Sequence, residues 1–189
     1  MNLLDVIDRF QPRCEQERED RRMMQSYLAR FDNLLVRENE IAHFTASAWV
    51  TNPARDRVLM AYHNIYRSWA WTGGHADGNA NLLEVALKEA GEETAAHGLR
   101  AVAEAPISLE ILPVPPHFRK GKFVVAHLHL NLTYLLEADD KAPVRNKPDE
   151  NSAVRWFPLR EAVAASTEPD MRKIYEKLNG YLEAQSRPV

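Results

Sequence analysis

The chain has 189 residues, with 24 Lys and Arg against 27 Asp and Glu for a formal net charge of -3, a length that suits one domain plus an appendage and is tight for two. No run of like charge is long enough to act as a nucleic-acid arm or an acidic tail, and no apolar run approaches membrane-spanning length, so neither nucleic acid nor membrane is an expected partner. The single cysteine, Cys14, excludes an intrachain disulfide and fits a reducing interior, and the N-terminus lacks the apolar core of a signal peptide; a soluble cytoplasmic protein is expected.

Residues 2–31 predict two helices that part at Gln11-Pro12. Leu3, Leu4, Val6, Ile7 and Phe10 are the apolar positions of the first, and Met23, Met24, Tyr27, Leu28 and Phe31 those of the second. The charged stretch CEQEREDRR reads as a solvated helix face without chemistry. Residues 1–38 then form an N-terminal helical extension, a candidate dimer surface, and residues 39–189 the main domain.

From Ala42 the period becomes two. Phe44, Ala46, Ala48 and Val50 fall on one side, His43, Thr45, Ser47 and Trp49 on the other, which makes a strand with an unusually polar second face. A turn at Asn52-Pro53 leads to a strand at Arg57–His63, a hairpin in outline. Trp69 and Trp71, two apart, share a face beside Gly73 and Gly74.

Turn-prone residues from Asp77 to Asn81 precede a helical pattern with Asn81 as its N-cap. Leu83, Leu87, Ala90 and Thr94 are the expected core stripe. Glu89, Glu92 and Glu93 stand three and four residues apart and project from one side, where like charges repel unless a cation sits among them. Oxygens converging from one rigid face suit a hard divalent cation such as Mg²⁺. The competing reading is an ordinary solvated, Lys- and Glu-rich face.

Downstream, Ile107–Val114 predicts a strand broken by Pro113, Pro115 and Pro116. The basic segment HFRKG reads as a loop, either a solvated turn or a phosphate contact through Arg119, Lys120 or Lys122. In FVVAHLHLNLTYLL, Leu128, Leu130, Leu132 and Tyr134 alternate with His127, His129, Asn131 and Thr133. Together with His43, Thr45 and Ser47, that polar face favours a cleft that binds substrate over a transition-metal site. KPDEN is a turn, VRWF a short strand, Pro158 opens a helix to Ala165, and a structural helix from Pro169 to Ala184 closes the chain.

The run from Gly74 to Ala96 resembles the signature of the Nudix hydrolase family, G-x(5)-E-x(7)-R-E-U-x-E-E-x-G-U with U aliphatic. Gly74 takes the first glycine, Lys88 the arginine, Glu89 the next glutamate, Ala90 the aliphatic position, and Glu92 and Glu93 the glutamate pair. Three positions depart: Ala80 replaces a glutamate, Lys88 an arginine, and Ala95 the glycine after the pair. Lys88 keeps the charge without the planar fork, and Ala95 to His97 can prolong the helix until Gly98 caps it.

The resemblance implies an α/β fold, an α/β/α sandwich around a mixed β-sheet. It also implies a metal site of Glu89, Glu92 and Glu93 beside Gly74, holding Mg²⁺ or Mn²⁺. Glu93 or Glu150 becomes the base, Asp149 and Glu150 are each candidates for the base or an extra metal ligand, and Lys88 orients the glutamates. His75, His43, Thr45, His127, His129 and Arg119 are the expected substrate contacts. The implied activity is Mg²⁺-dependent cleavage of a diphosphate linkage in a small molecule, a nucleoside diphosphate linked to another group. A homodimer is a reasonable expectation. Ala80 and Lys88 make a non-catalytic nucleotide-binding module the main rival. An isomerase acting on an isoprenoid diphosphate would need a catalytic cysteine, and Cys14 lies far upstream.

Overall fold

The computed structural model describes residues 2–119 and 121–186, the side chains of Arg119 and Ser186 excepted. Two helices open the chain, α1 (Leu3–Arg9) and α2 (Glu15–Leu28). The Asn2 side chain accepts the Asp5 N–H at 2.8 Å and starts α1, and Pro12 falls in the break between the two.

The sheet is built on β1 (Ala42–Thr51), buried along its whole length. It lies parallel to β9 (His127–Glu137), with His43 opposite His129 and Thr45 opposite Asn131. On its other side it pairs antiparallel with β4 (Thr72–His75) and, at its C-terminal end, with β2 (Arg57–His63). β3 (Ser68–Ala70) and β10 (Asn151–Pro158) pair with β2, while β5 (Arg100–Ala101) and β6 (Ser108–Val114) pair with β9. One parallel pair among antiparallel ones makes the eight-stranded sheet mixed.

Alternation on β1 sends two sets of side chains to opposite faces. Phe44, Ala46, Ala48 and Val50 join the core with Leu82, Val85, Ala86 and Ala90 of α3 (Leu82–Thr94), and Ile7 and Met24 of the N-terminal helices belong to the same core. Trp49 faces the other way and stacks on Tyr175 of α5 (Pro169–Ser186), ring centroids 5.0 Å apart, in a second core with Ala162 of α4 (Leu159–Ala165). Helices therefore cover both faces, the expected α/β/α sandwich.

Three local expectations are corrected. The HFRKG segment is not a loop but a two-stranded hairpin of β7 (His117–Arg119) and β8 (Lys122–Val124), with Gly121 at φ +79° between them. The CEQEREDRR face is not simply solvated. α2 lies along the open edge of β6, where the Arg13 guanidinium donates to the Ile107 carbonyl, Gln16 Nε2 donates to the Leu109 carbonyl at 2.9 Å, and Asp20 accepts the Ile111 N–H at 2.9 Å. These side chains satisfy alternate backbone groups that an exposed edge would offer to another strand. The third correction concerns the end of α3.

Rather than running on to Gly98, α3 stops at Thr94, and Ala95 takes the left-handed conformation at φ 50°, ψ 30°. The helix ends there because Ala95 N–H bonds back to the Gly91 carbonyl and the Thr94 side chain accepts the Ala96 N–H at 3.2 Å. An L-residue pays about 1–2 kcal/mol in that region, partly offset by the entropy a glycine adds to the unfolded chain. Ala95→Gly is therefore expected to stabilise the protein by about 0.5–1 kcal/mol. Chemical denaturation would show it, and an unchanged or lower midpoint would refute the account.

Candidate active site

Asn81 caps α3, its side chain accepting the Glu84 N–H at 3.4 Å. The buried stripe that follows is Leu82, Val85, Ala86, Ala90 and Thr94, so Leu83 and Leu87 sit at its margin rather than on its centre line. That rotation carries Glu93 into the buried sector, 6% exposed, and leaves Glu92 facing out. Glu93 Oε1 accepts the Gly73 N–H at 2.9 Å. Burial pushes the Glu93 carboxyl up to about 8; the Gly73 N–H opposes this, and negative Glu150 and Glu89 add to it.

Glu150 enters from the turn before β10. One carboxylate oxygen each from Glu89, Glu93 and Glu150 lie within 4.8 Å of one another. This donor set fits a hard divalent cation: three carboxylates from two elements converge, and a cation among them would offset the burial that chiefly raises Glu93 as well as the smaller repulsion from Glu150 and Glu89. Glu92 points instead at two lysines, 3.3 Å from Lys88 Nζ and 3.6 Å from Lys147 Nζ. Lys88 also reaches Glu89 at 3.1 Å, and Lys147 reaches Glu150 at 2.9 Å. The Glu89 hydrogen bond is the main cause raising Lys88's pKa. Lys147 was not among the expected residues, because a turn lysine carries no signal until the fold brings it to Glu92 and Glu150.

The glycine pair has a steric reason. A Cβ on Gly74 would stand 2.5 Å from Glu89 Cδ, and one on Gly73 would stand 2.6 Å from the Ala46 carbonyl oxygen and 2.7 Å from Ser47 Oγ. At Gly74 the obstacle is the end of a flexible side chain; at Gly73 it is backbone. Gly74→Ala is thus expected to fold and to displace Glu89, weakening divalent-metal binding at least about tenfold, whereas Gly73→Ala costs about 1–3 kcal/mol of stability. Calorimetry and urea unfolding of the two variants test this; equal effects on both readouts would contradict it.

On the opposite face of the sheet the expected polar cleft is divided. Its middle is closed and internally hydrogen-bonded: Thr45 and Ser47 hydroxyls donate to Asn131 Oδ1 at 3.0 and 2.9 Å. Asn131 Nδ2 and the Thr133 hydroxyl donate to Glu110 Oε2 at 3.0 and 2.9 Å. Ser108 donates to Glu17 and Glu110, and Lys177 Nζ lies 3.2 Å from Glu17 and 3.0 Å from Glu110. Thr45 is 6% exposed with its hydroxyl engaged, so it lies in this belt rather than on an open surface. Glu17 and Glu110 are new participants. The in-phase polar positions Ser108 and Glu110 of β6 were a legible signal; a glutamate in a charged helix was not.

At the end of the same face, His43, His75, His127 and His129 come together with ring centroids 4.8–5.1 Å apart for five of their pairs. Burial lowers His129 to about 2, with His75, His43 and His127 next, and burial likewise lowers His43. Arg119's side chain lies outside the described residues. A shallow groove nearby is lined by Val36, Arg37, Glu38 and Asp77, with Arg37 holding Asp77 in two bonds of 2.7 Å.

The NUDIX domain model matches residues 42–178, most of the chain. The chain belongs to the Nudix family of hydrolases. No curated protein matches it. Among solved structures, the Ap4A hydrolase binary complex of C. elegans is 18% identical, covering 75% of this chain and 98% of its own, with a TM-score of 0.55. The Nudix hydrolase RenU of M. smegmatis is 14% identical over 78% and 89%, TM-score 0.54. The NUDIX domain of Shewanella oneidensis NrtR, complexed with ADP ribose, is 19% identical over 83% and 97%, TM-score 0.52. At these identities the structures share the fold. No described helix is long and apolar enough to cross a membrane.

Proposed function

We propose that the protein is a Mg²⁺-dependent hydrolase that cleaves a diphosphate linkage in a small molecule, a nucleoside diphosphate joined to another group. The observation that carries this reading is the convergence of Glu89, Glu93 and Glu150 oxygens within 4.8 Å beside Gly74. Mg²⁺ bound there, with Mn²⁺ as a substitute, would neutralise phosphate charge and acidify a water. The chain's own residues do the rest. Glu150, the more open of the carboxylates, takes the water's proton. Lys147 holds Glu150 in place, and Lys88 bridges Glu89 and Glu92. Glu93, fixed by the Gly73 N–H, anchors the cluster from beneath. His75 and its histidine neighbours, with Arg119, remain candidate phosphate contacts.

The test is product release from a panel of diphosphate-linked nucleotides that includes Ap4A and ADP-ribose, in Mg²⁺, Mn²⁺ or EDTA, with mass spectrometry of the products. Metal-dependent cleavage between phosphorus atoms supports the proposal, and the bond split names the substrate class. A compound that raises the melting temperature without being cleaved would establish the non-catalytic nucleotide-binding module instead. Ala80 and Lys88 would then be the first positions to revert to glutamate and arginine.

A further inference from the structure

Four of the chain's seven histidines meet on the face of the sheet turned away from α3. Gly74 and His75 are consecutive on β4 and point to opposite faces. The glycine's side lies against Glu89, so the imidazoles and the carboxylate cluster occupy different faces and share no residue. One ring nitrogen each from His43, His75 and His129 lie within 4.8 Å of one another. The register explains the convergence: His43 pairs with His129 across β1 and β9, and His75 pairs with Thr45, two residues along β1.

The tautomers are set from outside the cluster. His43 Nδ1 lies 3.0 Å from the Asn39 carbonyl and His127 Nδ1 lies 2.8 Å from the Val125 carbonyl. A carbonyl can only accept, so each Nδ1 carries a hydrogen, and in the neutral ring Nε2 then presents a lone pair. His127 Nε2 meets His129 Nε2 at 3.2 Å. His43 Nε2 is buried and, among the described residues, has no hydrogen-bond partner. A buried acceptor left unpaired costs about 1–3 kcal/mol unless something binds it. An imidazole whose far N–H is tied to a backbone carbonyl, with its other lone pair aimed into a cluster of its own kind, has the arrangement of a metal ligand.

We propose that His43, His75 and His129 form a second metal site, specific for a late first-row transition ion such as Zn²⁺, with His127 held against His129 on its fourth side. Neutral imidazoles suit Zn²⁺, Co²⁺ or Ni²⁺ and disfavour Mg²⁺. Zn–N bonds of about 2.0–2.1 Å in a tetrahedron place ligand nitrogens about 3.3 Å apart, so small rotations of the rings close the site. The ion keeps its full double charge among neutral ligands and would take an anion or a water in any open position.

The experiment uses untagged full-length protein, stripped with a chelator and then held in excess Mg²⁺ so that the carboxylate cluster is saturated. Co²⁺ is titrated in and the visible absorption of a tetrahedral nitrogen site is followed, with Zn²⁺ as competitor. One equivalent of absorbing Co²⁺, displaced by Zn²⁺, is expected. His75→Asn and His129→Asn should each weaken Zn²⁺ binding at least about 10–100-fold with unchanged circular dichroism, while Glu93→Gln leaves it as it was. Absence of the absorption in the wild-type protein would overturn the site even if a histidine variant failed to fold. So would binding that survives both histidine variants or disappears with Glu93→Gln.

Discussion

Glu93→Gln is expected to lower metal-dependent turnover by at least about 10–100-fold and, in the metal-free protein, to remove a loss of stability between pH 4.5 and 8. Glutamine keeps the shape and still accepts the Gly73 N–H, so the fold survives. It cannot carry the negative charge that the cluster presents to a divalent cation. The stability effect follows from the sign of the shift. Folding raises the Glu93 carboxyl from an ordinary 4.5 to about 8, so the folded state keeps a proton that the unfolded state releases. That contribution is whole below pH 4.5 and is lost as pH rises through 8. Melting temperatures in EDTA should fall across that window in the wild-type protein and fall less in the variant. Added Mg²⁺ should restore the wild-type value most at high pH, because the cation and the proton compete for the same carboxylate. A variant with wild-type rates, or a parallel pH profile, would mean that the site lies elsewhere.

Lys177→Met should destabilise the protein by about 3–5 kcal/mol, the cost of leaving a buried charge without its partner. Lys177 reaches from α5 to Glu17 of α2 and Glu110 of β6, whose side chains are 0% and 2% exposed. Without it, two carboxylates share one dry interior with the Ser108, Thr133 and Asn131 donors, the Arg13 backbone N–H at 2.8 Å from Glu17 and the Arg13 guanidinium at 3.6 Å. Urea unfolding would measure the loss. Adding Glu17→Gln and Glu110→Gln to Lys177→Met should recover part of it, since the triple variant leaves no buried carboxylate there without its lysine, and the Arg13 guanidinium that loses Glu17 is partly exposed. A single variant as stable as the wild type would show that water reaches the carboxylates and that the belt is not closed.

Much of the half of the molecule that carries the candidate site was legible in one dimension. The switch from period two at Ala42 to period 3.6 after Asn81 is a local property of side-chain spacing, and it located β1 and α3; Gly73 and Gly74, which read as a loop, lie instead in β4, because pairing with Ser47 and Ala46 of β1 holds them extended. The glutamate spacing on α3 is likewise local, because helix geometry alone sets which side chains share a side.

What required the third dimension was every relation between elements. The one-residue rotation of the buried stripe separates Glu93, in the interior, from Glu92, which lies among lysines, and only packing against the sheet selects it. Glu150 reaches the cluster, and Lys147 with it, because β10 lies outside β2, a long-range pairing that no spacing along the chain records. The alternation of β1 and β9 predicted a polar face but not its division. Parallel pairing in one register closes Thr45, Ser47, Asn131 and Thr133 over Glu110 and leaves His43, His75, His127 and His129 together at the end. Periodicity fixes which way a side chain points from its own strand; what it then meets is decided by the neighbour's register, and that is a property of the folded sheet.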